Sequence, residues 1–95
     1  MEKRRVVITG MGAITPIGNT VEEFWANIKA GKSGIAPITQ FDASINKVHY
    51  AAEVKNFNPG DYMDSKDARK MARFTQFGVA AAKQCLDDSG LMGNA

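Results

Sequence analysis

The feature that most constrains this chain is an unbroken β-branched run near its start. Val6, Val7 and Ile8 follow one another with no polar residue between them. A strand without polar alternation is buried on both faces, as at the centre of a sheet that helices cover on both sides. Gly10 and Gly12 come next and allow the backbone to turn where a Cβ would clash. The sequence therefore predicts an α/β protein that opens with a central strand and a glycine turn.

A dinucleotide-binding fold begins in a similar way, but its fingerprint is incomplete here. That fingerprint needs a third glycine three residues after the second, and Thr15 occupies this position. Pro16 follows, and the first helix is predicted to begin only near Val21. The helix N-terminus that binds a pyrophosphate would then lie away from the turn. The sequence therefore disfavours a nicotinamide-dependent oxidoreductase.

Helix signals divide the rest of the chain. Thr20 and Glu23 form a capping-box pattern ahead of the first helix, and Gly31 is placed to end it in a left-handed cap. Asp64 or Ser65 is predicted to cap a second helix that runs to about residue 73. A third helix, rich in glycine and alanine, is predicted over residues 74–89, with Gly90 ending it. Its small side chains predict an interior position, close to a sheet or another helix.

The strand signals are fewer. Residues 31–46 are predicted to form a loop, and Val48, Tyr50, Ala52 and Val54 alternate with other residues to predict a strand with one buried face. Two strands cannot form a parallel sheet covered on both sides. Most of the sheet is therefore expected to lie outside these 95 residues.

Several segments together resemble one enzyme family. The opening, VVITGMGAITPIGNTVEEFW, is similar to the start of the β-ketoacyl-acyl-carrier-protein synthases, most of all their elongating type II branch. The resemblance continues through GKSGIAPI at residues 31–38, the pair Phe41 and Asp42, and AAEVKNF at residues 51–57. It extends through residues 61–76 and the alanine-rich residues 80–91. Order and spacing carry the resemblance more than any single motif.

The resemblance implies a fold and an activity. The complete fold of the family is thiolase-like, with five alternating helix and sheet layers in two duplicated α/β halves. Residues 1–95 would be the N-terminal portion of the first half. The activity is decarboxylative condensation of malonyl-carrier protein with an enzyme-bound acyl thioester. The family's catalytic cysteine, histidines and supporting lysine lie beyond this sequence, so no catalytic residue is expected here and the 95-residue piece is expected to be inactive.

Composition limits the possible partners. The net charge of +2 is too small to indicate nucleic acid, and no apolar run approaches the ~18 residues of a membrane span. A single cysteine cannot form an internal disulfide, which suits a reducing compartment. Together with the resemblance, this predicts a cytoplasmic protein that is a homodimer when intact. No cofactor or metal is expected beyond the phosphopantetheine arm of the carrier.

Cys85 and His49 are of residue types that can act in catalysis or bind a metal ion. Cys85 is a candidate nucleophile by residue type, but it lies near the C-terminal end of its predicted helix, whereas activated thiolates favour helix N-termini or nearby cations. A buried structural cysteine is the prediction. His49, the single histidine, has no cysteine or second histidine at ligand spacing, so a solvated or hydrogen-bonded strand residue is predicted in place of a metal ligand.

A basic helix face is the best functional signal. Lys66, Arg69, Lys70 and Arg73 recur at i, i+3, i+4 and i+7, so they share one face if the helix is continuous. One interpretation is a solvated surface, and the other is an electrostatic docking site for an acidic partner. The resemblance favours docking, because the positions matching Lys66, Arg69 and Lys70 lie in the acyl-carrier-protein docking surface of the family. A detached, non-catalytic docking module and a polyketide ketosynthase or chain-length-factor relative stay open as alternatives.

Overall fold

The computed structural model describes residues 3–91, with three α-helices and two short strands among them. Helix α1 spans Val21–Lys29, α2 spans Ser65–Arg69 and α3 spans Arg73–Ser89. Strands β1 (Ile35–Pro37) and β2 (Tyr50–Ala52) lie between α1 and α2, followed by a 3₁₀ turn at Pro59–Asp61. The mixture of helix and strand agrees with the predicted α/β class. Within residues 3–91 no helix combines the length and the apolar character that crossing a membrane requires.

Helix α1 begins and ends where the sequence predicts. The Thr20 hydroxyl accepts a hydrogen bond from the backbone N–H of Glu23 at 3.1 Å, which satisfies one of the unpaired donors of the first turn. Gly31 adopts a left-handed conformation with φ of 72°, and its N–H donates to the carbonyl of Ile28. Glycine adopts this conformation without the steric cost of a Cβ. The Thr20 cap and the left-handed Gly31 are therefore confirmed, while the return bond of the Glu23 carboxylate to the Thr20 N–H is not formed among the described residues.

The two strands form an antiparallel pair, and they correct the predicted loop. Ile35 pairs with Ala52 and Pro37 with Tyr50, so the segment 31–46 contains a strand where only a loop is predicted. The predicted buried face of the second strand is also wrong among the described residues, because Val48 is 65% exposed and Tyr50 is 62% exposed. Both faces of this two-stranded sheet lack a covering helix within residues 3–91.

Polar side chains hold the strand pair to its surroundings. The Glu53 carboxylate accepts hydrogen bonds from the backbone N–H groups of Thr39, at 3.0 Å, and Gln40, at 3.1 Å. The bond from the Thr39 N–H is the main reason that the pKa of the Glu53 carboxyl lies below its ordinary value. The Lys55 ammonium donates to the carbonyls of Glu53 and Gly34, at 2.9 and 3.2 Å. These contacts connect β2 to the chain on both sides of β1.

The β-branched run near the start of the chain is not part of a sheet in residues 3–91. Val6, Val7 and Ile8 are 93%, 66% and 84% exposed and pair with no other described strand. The predicted central strand is therefore not formed here. The physical reason is that a strand needs a neighbour on at least one edge, and the described residues supply none beside this run.

Helix α3 is the element that organises the start of the chain. A Cβ added to Gly10 would lie 2.5 Å from the carbonyl oxygen of Cys85, and one added to Gly12 would overlap the carbonyl of Ala81. Both glycines thus permit a close approach of backbone to backbone, which no other residue type allows. Side chains of α3 then bind this segment: Asp88 accepts from the N–H of Met11 at 3.0 Å.

The predicted interior position of α3 is only partly realised. Ala80, in the middle of the helix, is completely buried, while Phe74 is 77% exposed and Leu86 is 42% exposed. The helix ends where predicted, because Gly90 adopts φ of 74° after Ser89. One side of the helix is packed and the other is open within the part of the chain that the structure describes.

Little apolar surface is buried in residues 3–91. The buried apolar side chains of this range are alanines, and no large side chain there is fully buried. The accessible surface is 7620 Å², against about 5400 Å² for a compact protein of this mass. Apolar side chains that a compact domain would cover are therefore left in contact with water.

We expect residues 1–95 alone to aggregate and to unfold without a cooperative transition, because exposed apolar surface and an unpaired strand favour association. Size-exclusion chromatography with light scattering measures the aggregation, and a thermal melt measures whether unfolding is cooperative. A monodisperse monomer with a sharp, reversible melt would contradict the expectation.

Candidate functional site

The candidate site is built on α2, a helix of only five residues. Asp64 caps it, because its carboxylate accepts from the backbone N–H of Lys66 at 3.1 Å. At the other end the N–H groups of Lys70 and Met71 donate to the carbonyls three residues before them, which tightens and closes the helix. Ala72 is extended, with ψ of 156°. The second helix therefore ends at Arg69 and not near residue 73 as predicted, and α3 begins at Arg73 as the separate helix that the sequence predicts.

Three predicted docking residues stay together despite the earlier end of α2. Lys66, Arg69 and Lys70, hereafter the basic trio, lie in α2 and its C-cap and are all exposed. Lys70 keeps a helical backbone, so the spacing of three and four residues places the trio on one side of α2. None of the three forms an ion pair with an acidic side chain within residues 3–91. Their charges are thus available to a partner.

Arg73, the fourth residue of the predicted basic face, is separated from the trio. Its guanidinium donates to the carbonyl of Val54 at 3.1 Å and lies 4.9 Å from the ring centroid of Phe77. It also lies 6.0 Å from the ring centroid of Phe57. Cation–π contacts of this kind hold an arginine against aromatic faces. Arg73 was predicted to share the basic face if the helix were continuous, and that condition is not met, because α2 ends at Arg69 and Arg73 takes partners elsewhere in the chain.

An aromatic cluster joins α3 to the segment before α2. Phe57 packs edge-to-face on Phe77 with ring centroids 5.0 Å apart, and it stacks on Tyr62 at 6.0 Å. Edge-to-face and offset-stacked rings are the favoured aromatic arrangements. The Tyr62 hydroxyl accepts from the side-chain amide of Gln84 at 2.9 Å. The segment before α2 is therefore connected to α3 at two places, through the ring contact of Phe57 with Phe77 and through the bond between Tyr62 and Gln84.

Two glutamines of α3 have structural roles that the sequence analysis does not identify. Gln76 donates to the carbonyl of Ala68 in α2 at 2.9 Å, and Gln84 accepts from the N–H of Ala13 at 3.0 Å. Both flank the fully buried Ala80 at intervals of four residues. Helix positions four apart lie on one face. Two glutamines placed four residues before and four residues after a small buried residue are therefore the signal that could have identified these structural roles.

Cys85 lies on the same packed side of α3. It is half-buried, which is less than predicted, and its thiol donates to the carbonyl of Gly10 at 3.3 Å. This contact agrees with a structural role, while the assignment of no catalytic residue to this chain stays a prediction.

His49 lies on the surface next to β2. Its side chain is exposed, and its backbone carbonyl accepts from the N–H of Ile38 at 2.9 Å. Across residues 3–91, histidine, cysteine and acidic side chains do not come together in groups of three or more that could hold a metal ion.

Comparison with known proteins extends these observations. Residues 3–95 match the sequence model of the family described as Beta-ketoacyl synthase, N-terminal domain. The 3-oxoacyl-[acyl-carrier-protein] synthase 2 of Vibrio harveyi is 54% identical over 91 residues, covering 96% of this chain and 22% of that protein. The protein of the same name from Synechocystis sp. is 47% identical over 94 residues, covering 99% of this chain and 23% of that protein.

A solved structure shows the same likeness in three dimensions. The ishigamide ketosynthase/chain length factor superposes with a TM-score of 0.86 at 44% identity, over 95% of this chain and 22% of the solved one. The present chain therefore spans less than a quarter of the length of the proteins that it matches. The resemblance found in the sequence is confirmed across nearly all of its residues, and the chain belongs to the beta-ketoacyl synthase family, in its N-terminal domain.

Proposed function

We propose that this chain is the N-terminal part of a 3-oxoacyl-acyl-carrier-protein synthase of fatty acid biosynthesis. The complete enzyme condenses malonyl-carrier protein with an acyl group held as a thioester on the enzyme. The observation that carries this proposal is the 47–54% identity, over nearly the whole chain, to relatives named 3-oxoacyl-[acyl-carrier-protein] synthase 2. The thiolase-like layered fold, a homodimer and a cytoplasmic location belong to the same proposal.

The reaction defines what the absent part of the protein supplies. A cysteine thiolate attacks the acyl thioester and releases the carrier thiol. Loss of CO₂ from the malonyl group leaves an enolate, which attacks the enzyme-bound acyl carbon and expels the thiolate. Covalent catalysis, an oxyanion hole and imidazole donors serve these steps. By the family resemblance these groups lie outside the present sequence.

The contribution of this chain is a docking surface for the carrier. The basic trio is exposed and forms no ion pair among the described residues, so its field extends into solvent. Such a patch accelerates and orients the approach of an acidic partner. The acyl carrier protein is the acidic partner we propose, and its phosphopantetheine arm is the only prosthetic group involved. Residues 6–8 would form a strand once other parts of the protein pair with them.

A second candidate is a ketosynthase of polyketide synthesis or its chain-length factor. The TM-score of 0.86 and 44% identity to the ishigamide ketosynthase/chain length factor support it. The higher identity to the fatty acid synthases, 47–54%, favours the first proposal. A detached docking module is the remaining alternative, and it would bind the carrier but show no turnover in a condensation assay.

Reversing charge in the basic trio tests the docking proposal. In the complete protein, Lys66→Glu with Arg69→Glu should weaken carrier binding about tenfold or more at low ionic strength. Each exposed contact contributes up to about 1 kcal/mol, and a factor of ten corresponds to about 1.4 kcal/mol. The difference should shrink near 1 M salt, where the Debye length is about 3 Å. Titration of labelled carrier protein measures both effects.

A matched control separates a local docking surface from net charge. Lys32→Glu with Lys47→Glu makes the same change in charge at two exposed lysines outside the trio. We expect this variant to bind carrier nearly as the wild type does. Equal loss in both double variants, or no loss in the first, would contradict the proposed docking surface.

Substitution of Cys85 tests whether this chain holds a nucleophile. In the complete protein, Cys85→Ser should form the acyl-enzyme at the wild-type level, because the thiol is used in a bond to the Gly10 carbonyl. A stability loss on the order of 1 kcal/mol is expected from changing that half-buried contact. Intact mass spectrometry after incubation with acyl substrate detects the acyl-enzyme. Loss of acylation in a folded variant would identify Cys85 as the nucleophile.

A further inference from the structure

Helix α2 cannot fix its own orientation. It has five residues, and isolated helices shorter than about 12 residues are marginal in water. The Asp64 cap stabilises the first turn, but this bond is made within the helix and does not set its direction relative to α3. Contacts from outside α2 must therefore determine where the basic trio points.

The Gln76 side chain supplies such a contact. Its amide nitrogen donates to the carbonyl of Ala68 at 2.9 Å, in a partly buried bond. Ala68 is only 6% exposed and immediately precedes Arg69 and Lys70, so its carbonyl lies in the last turn of α2. A displacement of that carbonyl moves the backbone that carries both cations.

The helix that carries Gln76 is itself held in place. Arg73 lies three residues before Gln76, and Phe77 lies one residue after it. Both contact the segment that contains Val54 and Phe57. Residues 73, 76 and 77 lie on one face of α3, since positions three and four apart are neighbours on a helix. The first turn of α3 is thus a fixed base, and the Gln76 amide joins α2 to it.

We infer that Gln76 is a positioning residue for carrier docking, which holds the basic trio in the orientation that the carrier meets. This inference rests on the docking surface proposed above. Gln76 touches neither the carrier nor the reacting groups in this assignment. It acts through the Ala68 carbonyl on Arg69 and Lys70.

The test is Gln76→Met in the complete protein, which keeps the length of the side chain and removes its amide donor. We expect the KM for carrier-bound acyl thioester to rise about threefold to tenfold with kcat unchanged. Both constants for a small acyl-pantetheine thioester should stay at wild-type values, because that substrate does not use the trio. Gln40→Met is the control, since the Gln40 side chain is exposed and forms no hydrogen bond within residues 3–91.

A double-mutant cycle separates positioning from general damage. If Gln76 acts through Arg69, then Gln76→Met should have little further effect on the carrier KM in an Arg69→Ala background. Unchanged carrier kinetics in Gln76→Met would overturn the inference, as would equal losses with carrier-bound and small thioesters. If Lys66→Glu with Arg69→Glu weakens binding while Gln76→Met does not, only the positioning role is wrong. If neither affects binding, the docking surface itself is wrong.

Discussion

Backbone contact between α3 and the segment of residues 10–13 is the constraint on which the rest of this structure depends. Gly12 lies so close to the carbonyl of Ala81 that a methyl group would overlap it, and Gly10 meets Cys85 in the same way. Once the two backbones are this close, the side chains of α3 reach the polar groups of the segment. Asp88 and Gln84 accept its N–H groups, and Cys85 donates to the carbonyl of Gly10. The bonds of Ala13 and Gly10 are partly buried, and polar groups at such positions need partners because unpaired ones are costly to remove from water.

The same helix connects this contact to the proposed docking surface. The last two turns of α3 bind the start of the chain, and its first turn binds α2 and the aromatic cluster through Arg73, Gln76 and Phe77. Ala80 is completely buried between these two regions. The orientation of the basic trio is therefore set by a helix that is anchored at both ends. In the proposed docking, the trio provides the charge that meets an acidic partner, and α3 provides the orientation of that charge.

Local signals predicted the helix ends, while properties that depend on distant partners were not predicted. Thr20, Gly31 and Gly90 act at their own helix ends, so their roles could be read from neighbouring residues alone. The end of α2 was predicted about four residues too late, near residue 73 in place of Arg69, because Lys66, Arg69, Lys70 and Arg73 keep a helical period past it. The exposed trio was identified, but the internal partners of Arg73 lie at Val54 and Phe57, far away in sequence. The role of Asp88 depends on the N–H of Met11, 77 residues away in sequence, and residues 6–8 are exposed because no described strand lies beside them.

The close approach of α3 to Gly12 can be measured directly with one methyl group. In the complete protein, Gly12→Ala should lower the free energy of unfolding by about 1–3 kcal/mol, because the backbone carbonyl of Ala81 cannot move away as a side chain could. Gly78→Ala is the matched control, since its added methyl meets no described atom within 4 Å. Alanine is favoured over glycine inside a helix, so this variant should be as stable as the wild type or more stable. Denaturant unfolding measures the stability of both variants. If Gly12→Ala is as stable as Gly78→Ala, the account is contradicted.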